Sequence, residues 1–404
     1  MTLKVKIDPR ITEIVERLQS AGFEAYIVGG AVRDLLLDRK PKDYDISTAA
    51  TPEQIRAVFR DRRTLIIGRR FRLVHLFLGH DIIEISTFRR RPDPAAQADR
   101  PPRAADAPEL MIFNDNEFGT AEDDAHRRDF TVNALFYDPV HDRIADFTAQ
   151  GMNDLRDGIV RIIGEPYLRF EEDPVRLLRA LKLIGQYGFR LEERTGQALR
   201  EALPLIVHAS ASRLTLELEK ILKNPYGSNI IRTFHEYGFL ALFLPNFEKF
   251  YDTPQLRYAM ELWSRRDERL REGLFRDSLS LVLALSTLPF FEEERGGLWE
   301  YREGMETDFS ERMHRLFYPM TLTRRAVAAA IRNLMAQRRL KEADPHAVRS
   351  SSYATARELA VIQNELQWHI PDLESRLPAV SFAPNSFRKR RRPHRRRRPH
   401  PDAG

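Results

Sequence analysis

Asp43 and Asp45 are separated by a single residue in the stretch Asp43-Tyr44-Asp45-Ile46. In an extended strand residues two apart share a face, so both carboxylates project together while Tyr44 and Ile46 turn inward. Carboxylates paired in this way can hold two Mg²⁺ ions, one lowering the pKa of an attacking hydroxyl and both neutralising charge on a transferring phosphoryl group. Alone the motif says little. With acids at about one position in seven, an acid-x-acid triplet recurs by chance on the order of nine times in such a chain, and a solvated strand edge looks the same.

Three other constellations surround it in sequence. Gly29-Gly30-Ala31-Val32-Arg33-Asp34 ends a strand with two glycines and opens a helix with an arginine in its first turn. Backbone amides freed of side chains, a helix N-terminus and a cation together suit phosphate oxygens, although a tight turn without a ligand has the same sequence. Arg127-Arg128-Asp129-Phe130-Thr131-Val132-Asn133-Ala134 sets two guanidiniums beside a carboxylate, which fits triphosphate and ribose binding or a salt-bridged helix start. In Glu172-Asp173-Pro174-Val175-Arg176, Asp173 reads as an N-cap with Pro174 at the first helical position. Arg176, Arg179 and Lys182 then share a polar face opposite Val175, Leu178 and Leu181.

The order and spacing of these motifs resemble the class II RNA nucleotidyltransferases of the DNA polymerase β superfamily, the bacterial poly(A) polymerases and CCA-adding enzymes. The resemblance covers roughly residues 11–245 and rests on Ile27-Val28-Gly29-Gly30-Ala31-Val32-Arg33-Asp34 with Asp43-x-Asp45, on Arg127-Arg128-Asp129-Phe130-Thr131-x-Asn133-Ala134, and on Glu172-Asp173-x-x-Arg176. It implies that Asp43, Asp45 and Asp129 are catalytic and that Asp43 and Asp45 hold Mg²⁺. It implies a nucleotide site made by Gly29, Gly30, Arg33, Arg127, Arg128, Glu172, Asp173, Arg176 and Arg179. Many members of the superfamily supply a third metal carboxylate from a neighbouring strand, and Glu84, between Ile83 and Ile85, is the candidate here.

In this family Glu172, Asp173 and Arg176 would act as a template for the incoming base. A carboxylate accepts from the exocyclic amino group of adenine while a guanidinium donates to the adjacent ring nitrogen, and cytosine presents the same pair. Uracil and guanine present the reverse polarity. ATP and CTP should fit, so this motif leaves poly(A) and CCA synthesis both open. Lys182 stands where many relatives have arginine, which keeps the charge and loses bidentate phosphate contact.

Two features tilt the expectation toward AMP transfer from ATP to single-stranded RNA 3′ ends. Ile66-Ile67-Gly68-Arg69-Arg70-Phe71-Arg72-Leu73-Val74-His75 resembles a segment typical of bacterial poly(A) polymerases. The basic C-terminus, Arg388, Lys389, Arg390, Arg391, Arg392, Arg395, Arg396, Arg397 and Arg398, suits an enzyme that holds many unrelated RNAs by phosphate charge. The alternatives are CCA or A addition to tRNA and, in a different class, an inactive RNA-binding protein on the same scaffold.

These motifs need elements to position them. Ile11, Ile14, Val15 and Leu18 have helical spacing, Ala25 to Val28 reads as a strand, and a helix follows over 32–37. Strands are expected at 44–46, 65–67, 73–78 and 82–86, with a helix opened by Thr51-Pro52-Glu53. Residues 92–108, rich in Pro, Ala and Asp, read as a surface insertion. From Asp173 onward helices dominate, over 175–184, 214–222, 230–243, 270–285 and 324–335. The expected fold is α+β: a mixed head with a small sheet at 1–150, a helical neck at 151–215, a helical RNA-binding body at 216–382 and a disordered basic tail at 383–404.

Composition sets the outer bounds. A chain of 404 residues with 42% hydrophobic and 31% charged residues can bury a sizeable core. The absence of cysteine excludes disulfides and thiolate metal sites. With no membrane span or secretory signal in view, a soluble, cytoplasmic protein is expected. The net charge of +6 belongs to the tail, whose nine cations exceed the surplus of the whole chain.

Overall fold

The computed structural model describes residues 7–68, 73–79, 81–90, 117–276, 278–295 and 304–380. The Arg69 to Arg72 cluster, the insertion at 92–108 and the basic tail lie outside the described residues.

Helix α1 (Pro9–Ser20) starts on an Asp8 N-cap, with proline in its first turn, and buries Ile11, Ile14, Val15 and Leu18. Removing those four side chains from water contributes about 1.5–3 kcal/mol each. Their partner is a sheet. Among the described residues, strands β1 (Ala25–Val28), β2 (Asp45–Thr48), β3 (Thr64–Ile67), β4 (Leu73–Leu78), β5 (Asp81–Thr87), β6 (Phe136–Asp138) and β7 (Arg143–Ala145) run in the order β3-β4-β5-β2-β1-β6-β7. The β2–β5 pair is parallel and the other neighbours are antiparallel.

One face of this sheet, through Ile27, Ile46, Val74, Leu76, Ile83 and Ile85, packs with α1, α2 (Gly30–Leu36) and α3 (Pro52–Val58). Thr51 caps α3 in a reciprocal box with Gln54. On the opposite face Val28, Phe88 and Phe136 join Ala121 and Ala125 of α4 (Ala121–Arg127) in a smaller cluster. Register pairs Val28 with Asp45, so the acids stand on the face that α4 covers in part.

The segment 151–222, which includes the neck expected at 151–215, forms α5 (Gly151–Asp157), α6 (Pro166–Glu172), α7 (Val175–Tyr187), α8 (Glu193–Ala202) and α9 (Ala211–Leu222). It also carries a two-strand parallel ladder, β8 (Ile159–Val160) with β9 (Arg190–Leu191), which departs from the all-helical expectation. Helix α10 (Gly227–Glu236) packs on α7. The helix expected over 230–243 is interrupted: Gly238, at φ +70°, closes the turn after α10 and a short helix Leu240–Phe243 follows. The helix expected over 270–285 is likewise two elements. Pro254–Arg271 ends before Gly273, at φ +74°, and a separate helix runs over Leu279–Arg295. Both glycines occupy the left-handed region that stops a helix.

Candidate active site

The turn after β1 sets the first part of the site. Gly29 has φ +73° and ψ −141°, closed to ordinary side chains, and a Cβ there would meet Arg128 Nη1 at 3.3 Å. A Cβ on Gly30 would stand 3.2 Å from Arg33 Nη2. The glycine pair is thus where two guanidiniums approach the backbone.

Asp45 opens β2, and Asp43 lies in the bend before it rather than on the strand. The antiparallel partner β1 ends at Val28, opposite Asp45, so the pairing with β1 stops there. The expected alternation nevertheless holds: Asp43 and Asp45 are exposed, Tyr44 is half-buried and Ile46 is buried. Glu84 on β5 is the parallel register partner of Asp45, and His75 on β4 is the register partner of Glu84. The protein surrounding Asp45, then Glu84 and Asp43, pushes its carboxyl up, and the Arg128 guanidinium opposes them. Such a surplus of negative charge on hard oxygen donors fits a divalent cation. Among the described residues no three Asp, Glu or His side chains already converge on one point.

Arg128 follows α4 and donates to Asp124 Oδ2 at 2.8 Å and to Ser47 Oγ at 3.3 Å. Its guanidinium also lies 5.0 Å from the Phe136 ring centre. Arg128 therefore bridges the Gly29 turn and the acid strand. Asp129 is buried, accepting from Phe130 N at 2.8 Å and Asn133 Nδ2 at 3.2 Å, and pairs with Arg179 Nη1 at 3.1 Å. Burial by itself would raise its carboxyl, but Arg179, Asn133, the Phe130 N–H and Arg176 together hold it below the usual carboxylate range.

Arg33 is buried and already engaged by protein. It donates to Asp34 Oδ1, to Asn133 Oδ1 at 2.6 Å and to the Tyr187 hydroxyl at 2.6 Å, and it stacks 4.4 Å from the Tyr187 ring centre. In this structure Arg33 ties α2 to α7.

The Glu172, Asp173 and Arg176 motif forms the corner between α6 and α7. Asp173 Oδ1 accepts from Val175 N at 3.2 Å, and Oδ2 pairs with Arg213 at 2.9 Å. Asp173 thus caps the start of α7 through its side chain, although Pro174 is the residue at the helix boundary. Arg176 is not on a solvated face as its spacing suggested. It is buried, donating to the Arg169 carbonyl at 2.6 Å and to Glu172 Oε2 at 3.1 Å. Arg179 is half-exposed, and Lys182 Nζ lies 3.8 Å from Glu217 Oε2.

Residues 25–161 match the Poly A polymerase head domain, and residues 188–251 match the probable RNA and SrmB-binding site of polymerase A. Poly(A) polymerase I of Haemophilus influenzae is 39% identical over 284 residues, 69% of this chain and 62% of that protein. The chain belongs to the family of poly(A) polymerases and CCA-adding enzymes. Poly(A) polymerase I of Escherichia coli O157:H7 is 37% identical over 71% of this chain and 61% of its own length, so the chain spans about three-fifths of these relatives. The CCA-adding enzyme of Geobacillus stearothermophilus is 35% identical over 57% of the chain and 53% of that enzyme. A solved CCA-adding enzyme of Bacillus stearothermophilus in complex with CTP has a TM-score of 0.64 and 27% identity, covering 91% of this chain and 81% of that one.

The head is joined to the helices that follow it by residues that sequence reasoning passed over. Arg169, 1% exposed, donates at 2.7 Å to the carbonyls of both Arg127 and Arg128 and pairs with Glu172. Asn133 lies between Arg33 and Asp129. Asn133 stands within a quoted motif and could have been singled out, whereas Arg169 carries no local signal because an arginine in a helix reads as solvated. No helix among the described residues is long and apolar enough to cross a membrane.

Proposed function

We propose that this protein transfers AMP from ATP to the 3′ hydroxyl of RNA without a nucleic-acid template, releasing pyrophosphate and extending a poly(A) tail. The observation that carries this reading is the shared rung of Asp45 and Glu84 beside the Gly29 turn, with Arg128 adjoining both. Asp43, Asp45 and Glu84 would hold Mg²⁺, which when bound lowers the pKa of the attacking hydroxyl and offsets charge on the α-phosphoryl group. Arg128 and the backbone at Gly29 and Gly30 cradle triphosphate oxygens, with Arg127 beside them. Asp129, fixed in its ionised form, is suited to accept from a ribose hydroxyl.

The base is read at the corner between α6 and α7. There Glu172, Asp173 and Arg176 offer acceptors and a donor fixed by neighbouring groups, a pattern that suits adenine and cytosine alike. The choice of adenine rests on likeness. Relatives named Poly(A) polymerase I match 69–71% of the chain, against 57–62% for the CCA-adding enzymes. Addition of CCA or A to tRNA is the second reading, favoured by the CTP-bound structural neighbour.

Incubating the full-length protein with a generic RNA, a tRNA lacking its 3′ CCA, and each NTP singly with Mg²⁺ separates the readings. Long oligo(A) tails on both RNAs are expected. Incorporation confined to one to three nucleotides on the tRNA would transfer the assignment to tRNA end synthesis, and no incorporation at all would leave an RNA-binding protein.

A further inference from the structure

One rung of the sheet sets four residues side by side on the acid face, Leu65 on β3, His75 on β4, Glu84 on β5 and Asp45 on β2, before continuing to Val28 on β1. Register partners share a face, so the four side chains stand side by side. Within the rung His75 Nε2 lies 3.3 Å from Glu84 Oε1. The imidazole is the less accessible partner, with a side chain 19% exposed against 50% for the glutamate. The ring is the fixed member of the pair, and the carboxylate is the one that needs fixing.

We propose that His75 is the positioning residue of the third metal carboxylate, donating from Nε2 to Glu84 Oε1 and so keeping the other oxygen on the Asp45 side of the rung. This rests on the reading of Asp43, Asp45 and Glu84 as cation ligands. A glutamate on an exposed strand has three free side-chain torsions, and the like charge of Asp45 drives it away. A donor on the far side of Glu84 counteracts both tendencies, as partners of ligating carboxylates do elsewhere. The contact needs a proton on Nε2, which one neutral tautomer and the imidazolium both supply. A surface pair without a role would have the same distance but no reason to stand in the rung of Asp45.

The test is Mn²⁺ affinity of the full-length protein, read by electron paramagnetic resonance without RNA or ATP. Variants are Glu84→Gln, His75→Leu, His75→Gln and the double variant His75→Leu/Glu84→Gln, with thermal midpoints to confirm folding. Glu84→Gln and His75→Leu should each weaken Mn²⁺ binding by about tenfold, and His75→Gln, whose amide can donate, by no more than about threefold. The double variant should bind no more weakly than Glu84→Gln alone, because both changes remove one coupled unit. Wild-type affinity in His75→Leu beside a weakened Glu84→Gln overturns the positioning role alone, as do additive losses. Unchanged affinity in Glu84→Gln overturns the third-carboxylate reading and the positioning role with it.

Discussion

Asp129 of the head and Arg179 of α7 form an ion pair of 3.1 Å, and the carboxylate is the buried member. Its pKa is lowered in the folded protein because Arg179, Asn133, the Phe130 N–H and Arg176 outweigh burial. A lowered carboxyl contributes stability that is fully present above the unfolded pKa, about 4, and is lost as pH falls through the folded value. Asp129→Asn should therefore destabilise by about 1–2 kcal/mol at neutral pH, with the difference shrinking below pH ~4. Urea unfolding at pH 7 and pH 3.5 checks this. A penalty of equal size at both would assign the loss to packing instead.

Asp45 behaves oppositely. Its surroundings, Glu84 and Asp43 all disfavour its charge. Without added metal, Asp45→Asn should leave the thermal midpoint unchanged or raise it, while AMP transfer falls by roughly 10³-fold or more. Asp43→Ala should also abolish transfer with folding intact, since Asp43 is exposed in a bend. Near wild-type turnover of either variant at saturating Mg²⁺ would remove these residues from the metal site.

For Arg176 the expected defect is double. Arg176→Ala should relax the preference for ATP over UTP, and it should also destabilise by about 1–3 kcal/mol, because Glu172 would lose one of its two cationic partners and the Arg169 carbonyl would lose a donor. Single-nucleotide incorporation and chemical denaturation measure the two effects separately. An unchanged ATP to UTP ratio in a stably folded variant would leave Arg176 a purely structural brace.

Deleting the residues after Ala383 tests the basic tail. As an RNA tether it should lower the KM for RNA in the intact protein, so truncation should raise KM and leave turnover on saturating RNA nearly unchanged. Each lost phosphate contact should also remove about 0.7 from the log-log salt slope. An unchanged slope would point to a protein partner for the tail.

Much of the head was legible because its strands alternate and its helices carry their stop and start residues. Ala25 to Val28 ends in two glycines, and Thr51-Pro52 announces α3. The partnership of Asp45 with Glu84 was not legible as a contact, since parallel pairing between strands 39 residues apart depends on topology and not on local pattern. Arg176 misled for a related reason: a buried cation braced by a glutamate one turn earlier has the same spacing as a surface ion pair. Strands β6 and β7, three residues each, are too short to show a period. The two helix breaks were marked by Gly238 and Gly273, and apolar spacing carried the reading across them.

Arg169 has a consequence for anyone who would cut this protein into parts. The head-domain match ends at residue 161, yet the guanidinium that closes the carbonyls of Arg127 and Arg128 arrives only at position 169. A fragment stopping at the match boundary would contain Asp43, Asp45, Glu84 and Asp129 and still lack the plug behind the arginine pair. During synthesis the same holds in time: the ribosome delivers all four acids before it delivers the residue that locks the segment between them and the neck. The head is thus finished from downstream, and a fragment that keeps this contact has to run at least through α6.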